Sequence, residues 1–392
     1  MKQFLIFLLI TFIIALLYFN NRQDEFNLPP KSEPLVRNNL GLSLVAGFSI
    51  SVFADNIPDA RVISFDPAGV MLASSPSEGK IFALPDKDGN EKADGVEVVV
   101  GNLNRPHGME WRCRDPENPK NCTFYIAETD KLSEFAYDPD AYKATGKRKL
   151  IDLPSGGGHF TRTLLFMPSP NEDMLLVSVG SSCNVCKENN DRRASIIAYD
   201  INTGKSEIFA NGLRNSVFMS IHPVTGDIWA TEMGRDNLGD DIPPDEINII
   251  KKDNFYGWPW LYGKNIRDES FQPNVSILPV NLNPPIIEIT AHSAPLGLAF
   301  FGEEGWSDDY WHDLLVAYHG SWNRSVPTGY KIVRIKLDEK GNFNGIEDFI
   351  TGWLKEDGTR SGRPVDIKIF PAGPIYISDD QAGVIYRVVK TQ

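Results

Sequence analysis

The chain has 392 residues, 42% hydrophobic and 23% charged, an ordinary globular balance. Its net charge of −13 excludes nucleic-acid binding, which needs a basic footprint, and arginines gathered in motifs on so acidic a chain need a local reason. Length alone would allow two or three domains, although closed all-β folds run this long as one unit.

At the N-terminus Lys2 precedes an apolar run from Phe4 to Phe19 that only Thr11 interrupts. This is the layout of an export signal. No small-residue cleavage pattern follows the run, so residues 1–22 are expected to remain as a membrane anchor, with cleavage as the alternative. The run is short against the roughly 20 residues of a full span. The early lysine favours a body outside the cytoplasmic membrane, periplasmic or otherwise extracytoplasmic. Residues 23–39, polar and proline-containing, read as a linker to a body over 40–392.

Beyond residue 40, short strand-like runs separated by Gly, Pro, Asn and Asp replace helical patterns. Six related units follow. They begin at Arg61 (RVISFDPAGVMLASS), Arg105 (RPHGMEW), Arg162 (RTLLFMPSP), Arg214 (RNSVFMSIHP), Ala294 (APLGLAFFG) and Arg363 (RPVDIKIFPAG). Each has a strand, a turn often carrying Pro or Gly, a second strand, a polar loop and a third strand. Six units over 40–392 give about 59 residues each, and four-stranded propeller blades run roughly 40–50, so the surplus belongs in loops. The long insertions fall at 234–245 and 253–292. The pattern predicts an all-β, six-bladed β-propeller of four-stranded antiparallel sheets, with a pair of β-sandwiches as the other architecture considered. A propeller brings the starts of its inner strands to the axis. Five unit-opening arginines would then ring one end of the channel and suit a polyanionic ligand.

Four cysteines in an exported chain predict two disulfides between sequence neighbours, Cys113–Cys122 and Cys183–Cys186. The stretch CNVCK lacks the histidine of a haem-attachment motif, and no second close ligand pair marks a zinc site.

Chemistry is expected in four stretches. In GGGHFTR (156–162), glycines let the backbone approach a ligand beside His159 and Arg162; neutral imidazole accepts a proton at ordinary pH. In GLRN (212–215), Arg214 offers a donor fork and Asn215 a donor and an acceptor. The segment 230–250 carries Glu232, Asp236, Asp240, Asp241, Asp245 and Glu246, oxygen donors for a hard cation or simply a solvated acidic loop. In HGSWNR (319–324), His319, Trp322, Asn323 and Arg324 suit a flat, anionic heteroaromatic ligand.

Taken together, NRPHGMEW, GGGHFTRTLLF, VGSSCNVC, GLRNSVFMSIHP, DEINIIKKDNFYGWPW, HGSWNRSVPTGYKIV and GRPVDI…YISDD resemble the soluble quinoprotein sugar dehydrogenases, above all their sorbosone dehydrogenase branch. The likeness spans about residues 40–390. It implies a six-bladed propeller with pyrroloquinoline quinone (PQQ) and Ca²⁺ across one end of the channel. It also implies oxidation of a sugar's C1 hydroxyl or a sorbosone-like aldehyde, with electrons passed to an external acceptor, a quinone or a cytochrome. By resemblance His159 matches the catalytic base and Arg214 a catalytic charge beside the quinone. Asn215 matches a position beside the quinone and substrate and Arg363 a cofactor carboxylate ligand, and His319, Asn323 and Arg324 are expected to stand in for the family's cofactor lysine. Arg105 and Arg162 of the arginine ring, His107 and Trp322 complete the expected cofactor surroundings. Gly234 and Arg235 match the turn whose carbonyls hold the metal. The chain departs from the family's glucose dehydrogenases at Val365, where a second arginine stands, and it has no clear counterpart of their cofactor lysine. Two other functions share some of these features: a calcium-dependent propeller hydrolase, which needs carboxylates or amides converging on the axis, and a non-catalytic module that holds a glycan or polyanion.

Overall fold

In the computed structural model, residues 33–391 are described except 116, 272–278, 280 and 372. The expected anchor (1–22) and residues 23–32 of the expected linker lie outside the described residues. Among the described residues no helix is long and apolar enough to cross a membrane.

Six antiparallel sheets correspond to the six sequence units, and each unit's opening strand lies innermost. Blade one is Ile63–Phe65, Met71–Ser75, Lys80–Leu84 and Glu97–Val100; blade two is Met109–Cys113, Cys122–Glu128, Lys131–Asp138 and Lys143–Asp152. Blade three is Leu164–Phe166, Met174–Val179, Ser195–Asp200 and Ser206–Asn211; blade four is Ser216–Ile221, Ile228–Glu232, Asp245–Ile250 and Ile287–Ile289. Blade five, Pro295–Phe300, Leu314–Tyr318, Lys331–Leu337 and Phe343–Thr351, gains two further strands from the front of the body, Ser43–Val45 and Leu35–Arg37. The expected linker therefore ends earlier than residue 39: Leu35 pairs with Val45, and Ser43 with Thr351. Blade six is Pro364–Ile369, Ile375–Asp379 and Val384–Lys390, completed by Phe48–Ala54, with Val388 opposite Ile50 and Lys390 opposite Phe48.

The second strands Met71–Ser75, Ile228–Glu232 and Leu314–Tyr318 are buried at every position. They pack against neighbouring blades on both faces, so their sequences run apolar instead of alternating. An Asx turn closes the inner hairpin of blade one. There the Asp66 carboxylate accepts from the N–H groups of Ala68 and Val70, while its carbonyl accepts from Gly69. Near the axis the blades are joined by hydrogen bonds: Gly108 N–H to the Arg162 carbonyl (2.8 Å), the Ser378 hydroxyl to the Arg61 carbonyl (2.6 Å), and Thr231 to the Leu296 carbonyl (2.7 Å). Between blades five and six, Phe301, Phe349 and Trp353 are fully buried. Truncating such an aromatic to alanine costs about 3–5 kcal/mol.

Both expected disulfides, Cys113–Cys122 and Cys183–Cys186, are present, and there is no free cysteine.

Candidate active site

The segments that precede the inner strands meet at one end of the ring. The loop before blade three turns through Gly156 and Gly157, both at positive φ (79° and 82°). It runs against residues 181–182, where Gly158 N–H donates to the Ser182 carbonyl at 2.8 Å. A Cβ on Gly157 would lie 2.5 Å from the Ser182 carbonyl oxygen, and one on Gly180 would lie 2.6 Å from both Asn215 Oδ1 and His159 Cβ. Glycine at these positions is what lets His159 and Asn215 stand side by side.

His159 Nδ1 lies 3.0 Å from both the carbonyl and the hydroxyl oxygen of Ser181. The carbonyl can only accept, so Nδ1 carries the hydrogen and Nε2 keeps its lone pair. Burial pushes the His159 imidazole down to about 3, and the Arg214 charge adds to the effect against the Ser181 hydrogen bond. The imidazole is held neutral.

Arg214 is 4% exposed, and all five of its N–H groups meet protein acceptors. Nε reaches the Asn184 carbonyl, Nη1 the carbonyls of Met233 and Gly234, and Nη2 Asn184 Oδ1 and the Asp236 carboxylate. With these donors all taken within the protein, none is left for the direct contact expected with developing charge, and that expectation is corrected. Arg162 is likewise corrected. It is fully buried and donates to the carbonyls of Pro154, Thr161 and His159, so it sews the glycine loop into place instead of meeting an anion.

Phe160, next to His159, lies between two guanidinium groups, Arg105 at 3.7 Å and Arg61 at 5.5 Å from its centroid. Arg105 is exposed. His107 sits edge-on to the same ring, fully buried, and burial with the Arg61 and Arg162 charges holds it neutral. It is a packing residue beneath the mouth, which corrects its expected contact with a cofactor.

On the other side, His319 Nε2 faces both oxygens of Asp380, whose carboxylate also pairs with Arg61 at 2.7 Å. Arg363 donates to the carbonyls of His319 and Gly320 through Nε and Nη2; Nη1 has no protein partner among the described residues. Trp322 is 70% exposed, so it is not a core residue. Asn323 Oδ1 is buried without a partner. Arg324 is turned to the Asp240 carbonyl and the Asp241 carboxylate, a rim contact that displaces its expected cofactor role.

At the expected metal turn, Gly234 N–H donates to Asp245 at 2.9 Å. The Arg235 side chain turns away to Asp268 and Ser270, leaving only its backbone for a cation. The acidic stretch is not one solvated loop. Glu232, Asp245 and Glu246 are buried on strands of blade four; burial pushes Asp245 and Glu246 up to about 7 and raises Glu232 well above the usual carboxylate range. Glu232 Oε2 has no partner among the described residues; with Glu246, Asp268 and Gly234 it lines a cavity of about 30 Å³. A separate cavity of about 470 Å³, lined by Glu110, Phe300 and Lys368 among others, lies along and beyond the inner strands and contains none of the expected site residues.

Asp380, Phe160 and Asn184 were missed in the sequence. The signal for Asp380 was the paired acid of YISDD; for Asn184 it was its place between two cysteines.

Proteins similar to this chain are pyrroloquinoline quinone-dependent sugar and pyranose dehydrogenases, an oxidoreductase class built on this six-bladed propeller. The chain belongs to the TrAA12-like family, which it matches over residues 42–259 and 277–391. An uncharacterized protein of Borreliella burgdorferi is 32% identical over 359 residues, 88% of this chain and 90% of that one. The pyrroloquinoline quinone-dependent pyranose dehydrogenase of Coprinopsis cinerea is 25% identical across 89% of this chain, which spans about half (54%) of that protein's length. The holo PQQ domain of a pyranose dehydrogenase from the same organism superposes with a TM-score of 0.71 at 21% identity, covering 92% of this chain and 98% of that one. A calcium structure of a Trichoderma reesei enzyme of family AA12 gives 0.74 at 21% identity, covering 93% and 99%. At these identities the superpositions show the fold.

Proposed function

We propose that the chain oxidises the C1 hydroxyl of a sugar, with PQQ and Ca²⁺ bound at the mouth and His159 as the general base. The observation that carries this reading is His159 itself: Ser181 fixes its tautomer, Gly180 brings it against Asn215, and Nε2 is left as a neutral acceptor. The surrounding groups fit the cofactor. A flat tricarboxylate finds Arg363 Nη1 and the exposed guanidinium of Arg105 as anion partners, and the exposed Trp322 offers a face for a ring. The carbonyls of Gly234 and Arg235 and the Asn215 amide are the oxygen donors for calcium.

When bound, PQQ supplies a two-electron acceptor and the calcium ion a Lewis acid that polarises it. His159 Nε2 would take the proton of the sugar hydroxyl while the C1 hydride goes to that two-electron acceptor. Burial, and then the Arg214 charge beside it, keeps the imidazole in its accepting form. An external acceptor, a quinone or a cytochrome, would take up the electrons.

The relatives named are pyranose and sugar dehydrogenases, so we place a ring C1 hydroxyl ahead of a sorbosone-like aldehyde. Two disulfides favour a body that works outside the cytoplasm, delivered by the N-terminal apolar segment and tethered to the membrane if that segment is kept. A calcium hydrolase is less well served, because the groups at the mouth are mainly cationic and Glu232 and Glu246 lie within blade four. The test is absorbance titration with PQQ in the presence of calcium, followed by a sugar screen with an artificial electron acceptor. Absence of PQQ binding, or binding with no turnover of any aldose, would reject the reading.

A further inference from the structure

Residues 181–188 have no regular secondary structure, yet they lie between the two groups on which the site depends. We infer that Asn184, carried on the loop closed by the Cys183–Cys186 disulfide, is a positioning residue that sets the place of Arg214, while the same loop holds His159 through Ser181. Its part in turnover rests on the function proposed above; the positioning itself does not.

The Asn184 carbonyl accepts from Arg214 Nε at 2.9 Å and from Trp258 Nε1 at 3.2 Å. Asn184 Oδ1 accepts from Arg214 Nη2 at 2.9 Å and from Asp236 N–H at 2.8 Å, and Nδ2 donates to the Asp236 carbonyl at 3.0 Å. One amide side chain thus ties the guanidinium to the turn just after Gly234 and Arg235, and only a residue with both donor and acceptor can do so. On the other side of the loop, the Ser181 hydroxyl donates to the Cys183 carbonyl at 2.6 Å, and Ser181 in turn meets His159 Nδ1. Glu188 accepts from the N–H and hydroxyl of Ser182 at 2.6 and 2.7 Å. His159 precedes blade three and Arg214 precedes blade four, so the loop braces the two blades across the mouth. The short covalent loop closed by the disulfide removes part of the backbone freedom that an irregular segment otherwise loses on folding.

The test uses Asn184→Ala, Asn184→Asp and the double variant Cys183→Ser/Cys186→Ser. In cofactor-free protein labelled at arginine, the Arg214 Nη2–H resonance, whose acceptor is Asn184 Oδ1 and which is assigned by its absence in Arg214→Lys, should be protected from exchange. It should lose that protection in Asn184→Ala and in the double variant. Reduction of the native protein by a dithiol, which delivers two electrons and two protons to the sulfurs, should do the same and serves if a variant does not fold. With PQQ, calcium and sugar, kcat should fall roughly tenfold or more in Asn184→Ala with KM nearly constant, since a small misplacement of a catalytic environment costs rate. Asn184→Asp, which keeps Oδ1, should restore part of it. An Arg214 resonance that stays protected in Asn184→Ala and after reduction overturns the positioning, as does an unchanged kcat. A wild-type protein that shows no PQQ turnover while the Arg214 resonance responds overturns the proposed function instead, and leaves the positioning standing.

Discussion

His319 Nε2 stands 2.9 and 3.0 Å from the two oxygens of Asp380, whose carboxylate also meets Arg61. Burial would raise the Asp380 carboxyl, but the hydrogen bond from His319 and the charges of Arg61 and Arg363 prevail and hold it at about 2. Burial holds His319 at about 4 despite its partner, so the pair is a neutral imidazole donating to a carboxylate. Removing the charge leaves Arg61 with a weaker acceptor. Asp380→Asn should lower the stability of the cofactor-free protein by about 1–3 kcal/mol, and His319→Gln, which keeps a donor, by less. Urea unfolding of the three proteins checks this; equal midpoints would show that the pair does not hold the mouth together.

General-base catalysis contributes about 10²–10⁴-fold. His159→Gln keeps polarity but loses the basic nitrogen, so kcat should drop within that range under saturating PQQ and calcium. The PQQ dissociation constant should barely move. A near-wild-type kcat would remove His159 from the chemistry.

The same substitution has a pH signature in the cofactor-free protein. His159 is pushed down to about 3 from 6.5 by burial and then by Arg214, so the unfolded chain binds the proton more readily. The histidine costs nothing at pH 8; it subtracts stability progressively as pH falls below about 6.5, and the loss levels off near 3. His159→Gln should therefore gain on the wild type as pH falls, by up to about 2 kcal/mol at pH 5 and less where solvent screens the ring. Thermal midpoints at pH 8 and pH 5 give the difference; a constant gap would mean that the imidazole titrates normally.

Arg363 and Trp322 separate cofactor affinity from folding. Trp322 is mostly exposed, so Trp322→Ala should leave the melting temperature of the free protein unchanged. If the ring stacks on a ligand, the variant should weaken sugar or PQQ binding several-fold. Arg363→Ala should weaken PQQ before it slows turnover, because Nη1 is the free donor of that guanidinium. Isothermal titration with PQQ and calcium measures both, and unchanged constants would place the cofactor elsewhere.

Calcium should restore activity to chelated protein better than magnesium, since backbone carbonyls and an amide make a flexible oxygen site. Full PQQ turnover after verified removal of divalent metal would contradict this.

The ring was legible because each blade repeats a local pattern: inner strand, Asx or Pro turn, apolar second strand. Its closure was not, because Phe48–Ala54 carries no sign that its partner is Val384–Lys390 at the other end of the chain. His159, Asn215 and Arg363 were readable as chemistry-bearing types near glycines. Whether an arginine would be free or consumed was not readable, since Arg162 and Arg214 spend their donors on carbonyls that only the folded loops supply. Glu232 and Glu246 looked like part of a wet acidic loop, but they face each other across adjacent strands, and opposition across a ladder becomes visible only once the register is known.

The clasp in blade six also sets a timetable. Ile50 and its partner Val388 are 338 positions apart, so at roughly 5–20 residues per second a growing chain holds its first closing strand unpaired for about half a minute. During that interval Phe48–Ala54 has no partner and the ring stays open. Synthesis of Val384–Lys390 supplies the complementary edge, so the mouth, which needs all six blades, takes shape only after that strand is made.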